Sequence, residues 1–352
     1  MKFDYIIGNP PYNEDFSNSG DNGNYAAPVY NKFLDEAYKV GDKVEMIHPA
    51  RFLFNAGSTS KDWNKKMLTD KHFKVLLYEP KSSKIFSNTD IKGGVAITYH
   101  DNMRDFGAID IFTPYNELNT ILQKVKPLIN LGTLDSIISG RGVYKLSKKA
   151  LEDYPEIADI QSKGHKYDVG SGAFKILKDI IFFEDKPNND KQYVKFLGLL
   201  KQKRVYFWTE EKYQNTPDSF YHYKVFIPQA NGSGAIGEVL STPLIGEPLI
   251  GEPLIGATET FLSIGCFEHK NEADNCLKYI KTKFARVMLG ILKITQANTR
   301  EKWKYVPMQD FTETSDIDWT QSISDVDKQL YKKYGLSEEE INFIETHVKE
   351  ME

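Results

Sequence analysis

The sequence predicts an α/β fold: a doubly wound sheet over residues 1–112, followed by an α+β module over 113–309 and an acidic helical tail over 310–352. Strand and helix signals alternate through the first ~110 residues. Past about Ile111 the chain turns to short mixed runs rich in aromatics and glycine. Charge divides unevenly: Asp310–Glu352 holds 12 acidic and 4 basic residues, so residues 1–309 are net +4 although the whole chain of 352 residues is −4.

Asp4–Ile7 reads as a strand that runs into Asn9-Pro10-Pro11-Tyr12, and a Gly/Asn/Ser-rich loop, Ser17–Asn24, follows. Tyr30, Phe33, Leu34 and Ala37 recur at helical spacing, and Gly41 stops that helix. Val44–Ile47 reads as a strand closed by His48-Pro49, Lys61–Leu68 as a helix, and Phe73–Leu77 and Val95–Tyr99 as further strands. Beyond them, Glu272–Leu292 has the clearest helical period. Ser337 followed by Glu338, Glu339 and Glu340 marks a capped helix in the tail.

The bulk numbers bound the function class. Apolar content of 40% and charged content of 27% suit a soluble globular protein. No apolar run nears the ~18 residues of a membrane helix, and no leader pattern opens the chain. Cys266 and Cys276 lack metal-ligand spacing, so no metal is expected, both read as core residues, and a reducing cytoplasm is the expected location. His48 reads as a packed or capping residue. Glu184-Asp185-Lys186 and Pro217-Asp218 resemble nuclease fragments but lack the spacing that holds Mg²⁺. The pentad Pro-Leu-Ile-Gly-Glu occurs at Pro243 and Pro248 and returns as Pro253-Leu254-Ile255-Gly256-Ala257. Three copies are too few for a solenoid. They read as an expanded surface loop, with replication slippage that changes loop length as the sharper alternative.

Asn9-Pro10-Pro11-Tyr12 carries the most chemistry. The exocyclic amine of adenine is a poor nucleophile because its lone pair is delocalised into the ring. Two acceptors held out of the ring plane, the Asn9 side-chain oxygen and the Pro10 carbonyl, draw that pair toward a methyl donor. Pro11 stiffens the turn, and Tyr12 offers a face on which an extruded base can stack. The bland reading, a strand-terminating turn, needs none of this.

Asp4-Tyr5-Ile6-Ile7-Gly8-Asn9-Pro10-Pro11-Tyr12 resembles the catalytic motif of S-adenosylmethionine-dependent N6-adenine DNA methyltransferases of restriction-modification systems, the type IIG-like group with a C-terminal target-recognition domain. Met46–Phe52 is similar to the next strand and turn, and Lys84–Ile97 to a later motif in which Phe86 partners Tyr12. The resemblance implies a partial Rossmann-like methyltransferase sheet followed by an α+β target-recognition domain. It also implies S-adenosylmethionine as cofactor, double-stranded DNA as partner, and base stacking by Tyr12 and Phe86. The family's methyl-donor motif, a strand with a Gly-rich turn, lies upstream of the catalytic motif. Only three residues precede the strand here, so a truncated or split form is expected, with a separate N-terminal methyltransferase segment or a restriction subunit as partner. Gly170-Ser171-Gly172 and Gly232-Ser233-Gly234 are poor substitutes for the donor turn. A DNA-specificity or binding subunit without catalysis is the alternative function.

Two basic stretches are candidate DNA contacts. The first is Lys191–Arg204 with Tyr206-Phe207-Trp208, in which Lys201, Lys203 and Arg204 are singled out. The second is Lys278–Lys304, with eight basic residues and one acid, in which Gln296, Asn298, Arg300 and Lys302 could reach phosphates or base edges. The competing reading of both is a solvated face over a core.

Overall fold

A computed structural model describes residues 2–13, 27–87, 89, 91, 93–231, 236, 244–293 and 297–351. The chain divides into two compact units, Met1–Asn119 and Thr120–Glu352.

The first unit is built on four strands: β1 (Phe3–Gly8), β2 (Gly41–Pro49), β3 (Phe73–Glu79) and β4 (Val95–Asp101). Their order is β1-β2-β4-β3. β1 and β2 run parallel, joined by helix α1 (Tyr30–Val40), while β4 runs antiparallel to both β2 and β3. The sheet is therefore mixed rather than wholly parallel. The difference arises at the 80–94 connection, whose described residues include no crossover helix and which turns the chain back beside β3.

Tyr30, Leu34 and Ala37 of α1 bury against Val44, Met46, Phe73 and Ala96. Phe33, expected on the same face, is largely exposed. Helix α2 (Lys61–Thr69) is capped by Ser60, whose hydroxyl accepts the Trp63 amide at 3.2 Å. The Trp63 indole donates to Asp35 of α1 at 3.1 Å, and Lys66 pairs with the same carboxylate at 2.8 Å, tying the two helices together. The edge strand β1 is open: Phe3, Tyr5 and Ile7 are exposed, Ile7 to 75%.

The boundary between the units falls within α3 (Asn116–Val125). The second unit is mixed α and β. In chain order it contains β5 (Lys145–Leu146), α4 (Lys148–Asp153), α5 (Ile157–Ile160), α6 (Ala173–Ile176), β6 (Tyr193–Leu200), β7 (Lys203–Glu210), β8 (Gln214–Asn215), β9 (Tyr223–Pro228), β10 (Leu249–Gly251), β11 (Ile255–Ala257), β12 (Phe261–Phe267), α7 (Lys270–Lys281), α8 (Lys283–Gly290), α9 (Ile323–Lys333) and α10 (Glu338–His347). Three small sheets result, ordered β10-β9-β12, β11-β6-β7 and β5-β8. Their core gathers Phe174, Phe182, Phe196, Phe207 and Phe220. The tail packs into this unit: Ser337 and Glu340 form a reciprocal capping box on α10, and Val326, Leu330 and Ile344 are fully buried.

Two sequence expectations give way here. The helix expected over Glu272–Leu292 breaks at Thr282, whose hydroxyl caps α8 by accepting the Ala285 amide. The pentads are not a surface loop. Leu244 and Ile245 of the first copy are buried, the second copy supplies β10, and the third supplies β11, which pairs parallel to β6. Each copy places a glycine where backbone meets a ring. A Cβ would stand 2.7 Å from Pro228 at Gly246, 2.5 Å from Phe226 at Gly251 and 2.6 Å from Phe196 at Gly256.

Candidate active site

Parallel pairing fixes where the motif sits. Gly8 lies opposite Met46, so the chain leaving β1 at Asn9 emerges at the same sheet edge as the chain leaving β2 at Pro49. Pro49 faces Val95 and Glu79 faces Val95, so the 80–94 connection begins and ends at that edge too. Carboxyl ends of parallel strands are where α/β sheets gather ligands.

Gly8 allows the close approach: a Cβ there would lie 2.8 Å from the Met46 sulfur. Beyond it Asn9 and Pro11 are exposed, Pro10 is buried and Tyr12 is half-buried. The turn is tied back to the first residues before α1. Val29 N–H donates to the Tyr12 carbonyl at 3.0 Å, and Asn13 bridges Pro28. The Tyr12 hydroxyl is enclosed without a hydrogen-bond partner among the described residues, and burial raises its pKa.

Phe86 meets Tyr12 edge-on, with ring centroids 6.5 Å apart and planes at 67°. Its loop is knotted by Ser82, which sequence reasoning missed. The buried Ser82 hydroxyl donates to Thr89 O at 3.0 Å and accepts Ile91 N–H at 2.8 Å, while Phe86 N–H reaches Ser82 O at 2.8 Å. Asn88, Asp90 and Lys92 of the expected later motif lie outside the described residues. Gly94, at φ +77°, lets the loop re-enter β4, since a Cβ would stand 2.4 Å from Glu79 O. The knot is made by contacts seven and nine residues away, which no helix or strand period signals, although Ser82 two residues after Pro80 is a turn signal.

Behind the turn, His48 is fully buried. It stacks on Tyr30 at 5.6 Å, and its Nε2 lies 2.7 Å from Thr98 Oγ1. Burial pushes its pKa down to about 4, so it stays neutral and supports β2 against β4. It does not reach solvent.

The expected DNA contacts separate into three groups. Lys201, Lys203 and Arg204 belong to the β6–β7 hairpin. Positive φ at Lys201 and Gln202 gives a type I′ turn, leaving Lys201 and Lys203 exposed at its tip. Arg204 is exposed but donates to the Glu247 carbonyl. Arg300 and Lys302 lie in a 3₁₀ turn (Arg300–Tyr305), where Arg300 Nε donates to Asp135 O at 2.8 Å and its guanidinium is otherwise exposed.

Asn298 corrects the expectation. It is fully buried, its amide donating to Pro228 O and its backbone N–H to Gln229 O, so it packs beside β9 and cannot read a base. Gln296 lies outside the described residues. The basic run itself is largely spent inside the fold. Lys278 donates to Trp319 O and Gln321 O, Lys281 pairs with Glu247, Lys283 with Glu345, and buried Arg286 holds Lys281 O. Its charge read as a footprint because partners so distant in sequence are invisible to composition.

Gly232-Ser233-Gly234 lies outside the described residues. Gly170 and Gly172 line an open polar pocket of about 500 Å³ whose Arg141–Glu259 and Lys145–Asp168 charges are already paired. Only the four-residue α6 follows it, and no strand precedes it. These residues do not fit the adenosyl group. Among the described residues no strand ends in a Gly-rich turn that opens a helix.

Comparison with known proteins finds similarity at the N-terminal end. Residues 1–86 match the family described as Eco57I restriction-modification methylase. The chain is also 36% identical over 97 residues to a protein described as an uncharacterized adenine-specific methylase of Mycoplasma pneumoniae. That match covers 27% of this chain and 22% of the relative. Among solved structures, a type IIG restriction endonuclease, BpuSI, is similar at a TM-score of 0.29 and 9% identity, over 93% of this chain and 50% of that one. No helix among the described residues is long and apolar enough to cross a membrane. The similarity to the Eco57I restriction-modification methylase family thus falls on the segment that carries Asn9-Pro10-Pro11-Tyr12 and Phe86.

Proposed function

We propose that this chain supplies the base-holding site and a DNA-reading module of a site-specific adenine-N6 DNA methyltransferase. The observation that carries the reading is Asn9-Pro10-Pro11-Tyr12 at the carboxyl end of β1 with Phe86 beside it. An adenine swung out of the duplex would stack on Tyr12. Its N6 amine would give one hydrogen to the Asn9 side-chain oxygen and one to the Pro10 carbonyl, which localises the lone pair on nitrogen. The proton then leaves after transfer, with no general base required. S-adenosylmethionine is the methyl donor that the family implies; no residue of this chain is assigned to it.

Exposed Lys201, Lys203 and Arg300, with half-buried Lys302, would neutralise phosphates in the second unit. The other reading is a DNA-specificity protein that binds without transferring. It is favoured by the poor fit of Gly170-Ser171-Gly172 to the donor.

The test uses the chain reconstituted with a methyl-donor-binding segment, which its described residues do not supply, together with duplex DNA and S-adenosylmethionine labelled on the methyl group. The expected result is label in N6-methyladenine that Asn9→Ala lowers at least about a hundredfold, matching the loss of a donor or acceptor used in the transition state, with DNA affinity held within about twofold. Equal losses in transfer and binding would overturn the assigned roles. Binding without any label would favour the specificity protein.

A further inference from the structure

Asp218, His222 and Cys266 converge at the end of the β10-β9-β12 sheet, with one donor atom of each within 4.8 Å of the others. Nothing in their spacing announces this. Asp218 opens a one-turn 3₁₀ helix (Asp218–Tyr221) and His222 closes it. Cys266 arrives from β12. There the pairing Ile264–Val225 is followed by Phe267–Tyr223, so Gly265 and Cys266 together oppose Lys224 alone. Gly265, at φ +84°, makes the bulge, and a bulge re-aims the side chain beside it. Cys266 Sγ thereby stands 3.8 Å from Asp218 Oδ2. The sequence reading of Cys266 as a core residue is corrected: it is exposed, while Cys276 is the buried one.

The histidine is set as a ligand. Its Nδ1 lies 3.1 Å from the Asp218 carbonyl. A carbonyl can only accept, so Nδ1 carries the hydrogen and the Nε2 lone pair faces outward. Metal-bound histidines have this arrangement, with the second nitrogen donating to a backbone carbonyl. Nε2 in turn lies 3.2 Å from Glu268 Oε1. A neutral ring nitrogen and a carboxylate oxygen at that distance are two acceptors face to face, which requires a cation between them or a proton on Nε2.

The spacing suits a metal. Bonds of about 2.3 Å to sulfur and 2.0–2.2 Å to nitrogen and oxygen place tetrahedral ligands about 3.3–3.7 Å apart. The 3.8 Å and 3.2 Å separations lie within a few tenths of an ångström of that range, while the Asp218, His222 and Cys266 donors as a group are held only within 4.8 Å, so side chains, Glu268 included, would close on the ion. Thiol and imidazole donors select a borderline cation such as zinc over magnesium or calcium. Without an ion, burial first and then the Asp218 and Glu268 carboxylates raise the Cys266 pKa, with the charge of Lys224 opposing them.

We infer that Asp218, His222, Cys266 and Glu268 bind one zinc ion, which clamps the Asp218–Tyr221 turn onto β12. Binding releases the Cys266 thiol proton to solvent as the zinc–sulfur bond forms. This site stands apart from the adenine reading, and neither depends on the other.

The experiment titrates the metal-stripped full chain with Co²⁺, then with Zn²⁺. The expected result is a near-ultraviolet thiolate-to-cobalt band together with the intense visible bands of a tetrahedral site, both displaced by zinc. Cys266→Ser removes the thiolate band. His222→Ala and Cys266→Ser each weaken zinc at least about tenfold. Both residues are accessible at the surface, and circular dichroism establishes that the variants fold. Cobalt spectra without a thiolate band, or zinc affinity unchanged in both variants, would overturn the proposal and leave a proton alone between His222 and Glu268.

Discussion

Phe86 stands edge-on to Tyr12, with ring centroids 6.5 Å apart and planes crossing at 67°. A base held between two rings needs about 7 Å between their planes, twice the ~3.4 Å rise of stacked bases. The separation is already close to that value and the angle is not. Admitting adenine therefore asks for rotation of a ring more than for movement of backbone, which suits a loop pinned at Ser82.

From this geometry Tyr12→Ala and Phe86→Ala should each lower the kcat/KM of methyl transfer by about five- to one-hundred-and-fiftyfold, the ~1–3 kcal/mol that stacking on one base contributes. Binding to DNA without a target adenine should not change. A Phe86→Ala enzyme with wild-type kcat/KM would remove Phe86 from the base site.

Tyr12→Phe separates stacking from the hydroxyl. That hydroxyl is enclosed with no partner among the described residues, so its removal relieves a desolvated polar group while leaving the ring. Stability in urea should hold or rise by up to ~1 kcal/mol. A loss larger than that would mean the hydroxyl is satisfied in the folded protein.

Ser82→Ala should do the reverse. It strips a donor from Thr89 O and an acceptor from Ile91 N–H in a buried position. A cost of about 1–3 kcal/mol is expected, with faster hydrogen exchange at the Ile91 amide. Unchanged exchange there would show that the loop is held by something else.

How far the sequence carried the reading depends on the range of the forces involved. β1, α1, β2, α2, β3 and β4 were all legible, because amphipathic period and flanking Gly, Pro and Ser are local signals. The position of Asn9 at the sheet edge followed from its strand. What escaped was long-range pairing. Antiparallel β4 inserts between β2 and β3, buried Asn298 spends its amide on Pro228, and Lys278 and Arg286 give their charge to carbonyls far along the chain. The pentads misled for the same reason. Pro and Gly every five residues forbid a helix, but they do not forbid two short strands that find partners in β9 and β6.

The pentads thus yield a stability prediction. The Gly256 Cα faces the Phe196 ring so closely that an added Cβ would lie 2.6–2.8 Å from three of its carbons. Phe196 is fully buried and cannot withdraw. Gly256→Ala should cost about 1–3 kcal/mol as an overpacked core, read as a lower urea midpoint at unchanged slope. A neutral result would mean that β11 can slide away from β6.

The buried His48 makes stability depend on pH with a definite sign. Its folded pKa is about 4, against an ordinary value of 6.5, because burial disfavours the imidazolium. Between those values the unfolded chain binds the extra proton, so this contribution is fully present above pH 6.5 and is lost as pH falls toward 4. A shift of that size corresponds to about 3 kcal/mol. His100 is shifted the same way, by burial first, and adds to the slope with the same sign. Unfolding free energies measured from pH 7 to pH 4 should fall for the native protein, and His48→Gln should flatten that slope whatever it does to stability at neutral pH. Losing the Thr98 contact lowers the curve as a whole, whereas losing the titrating group changes its steepness. Equal slopes in the two proteins would show that His48 takes up its proton in the folded state, and that the stack on Tyr30 opens to let it.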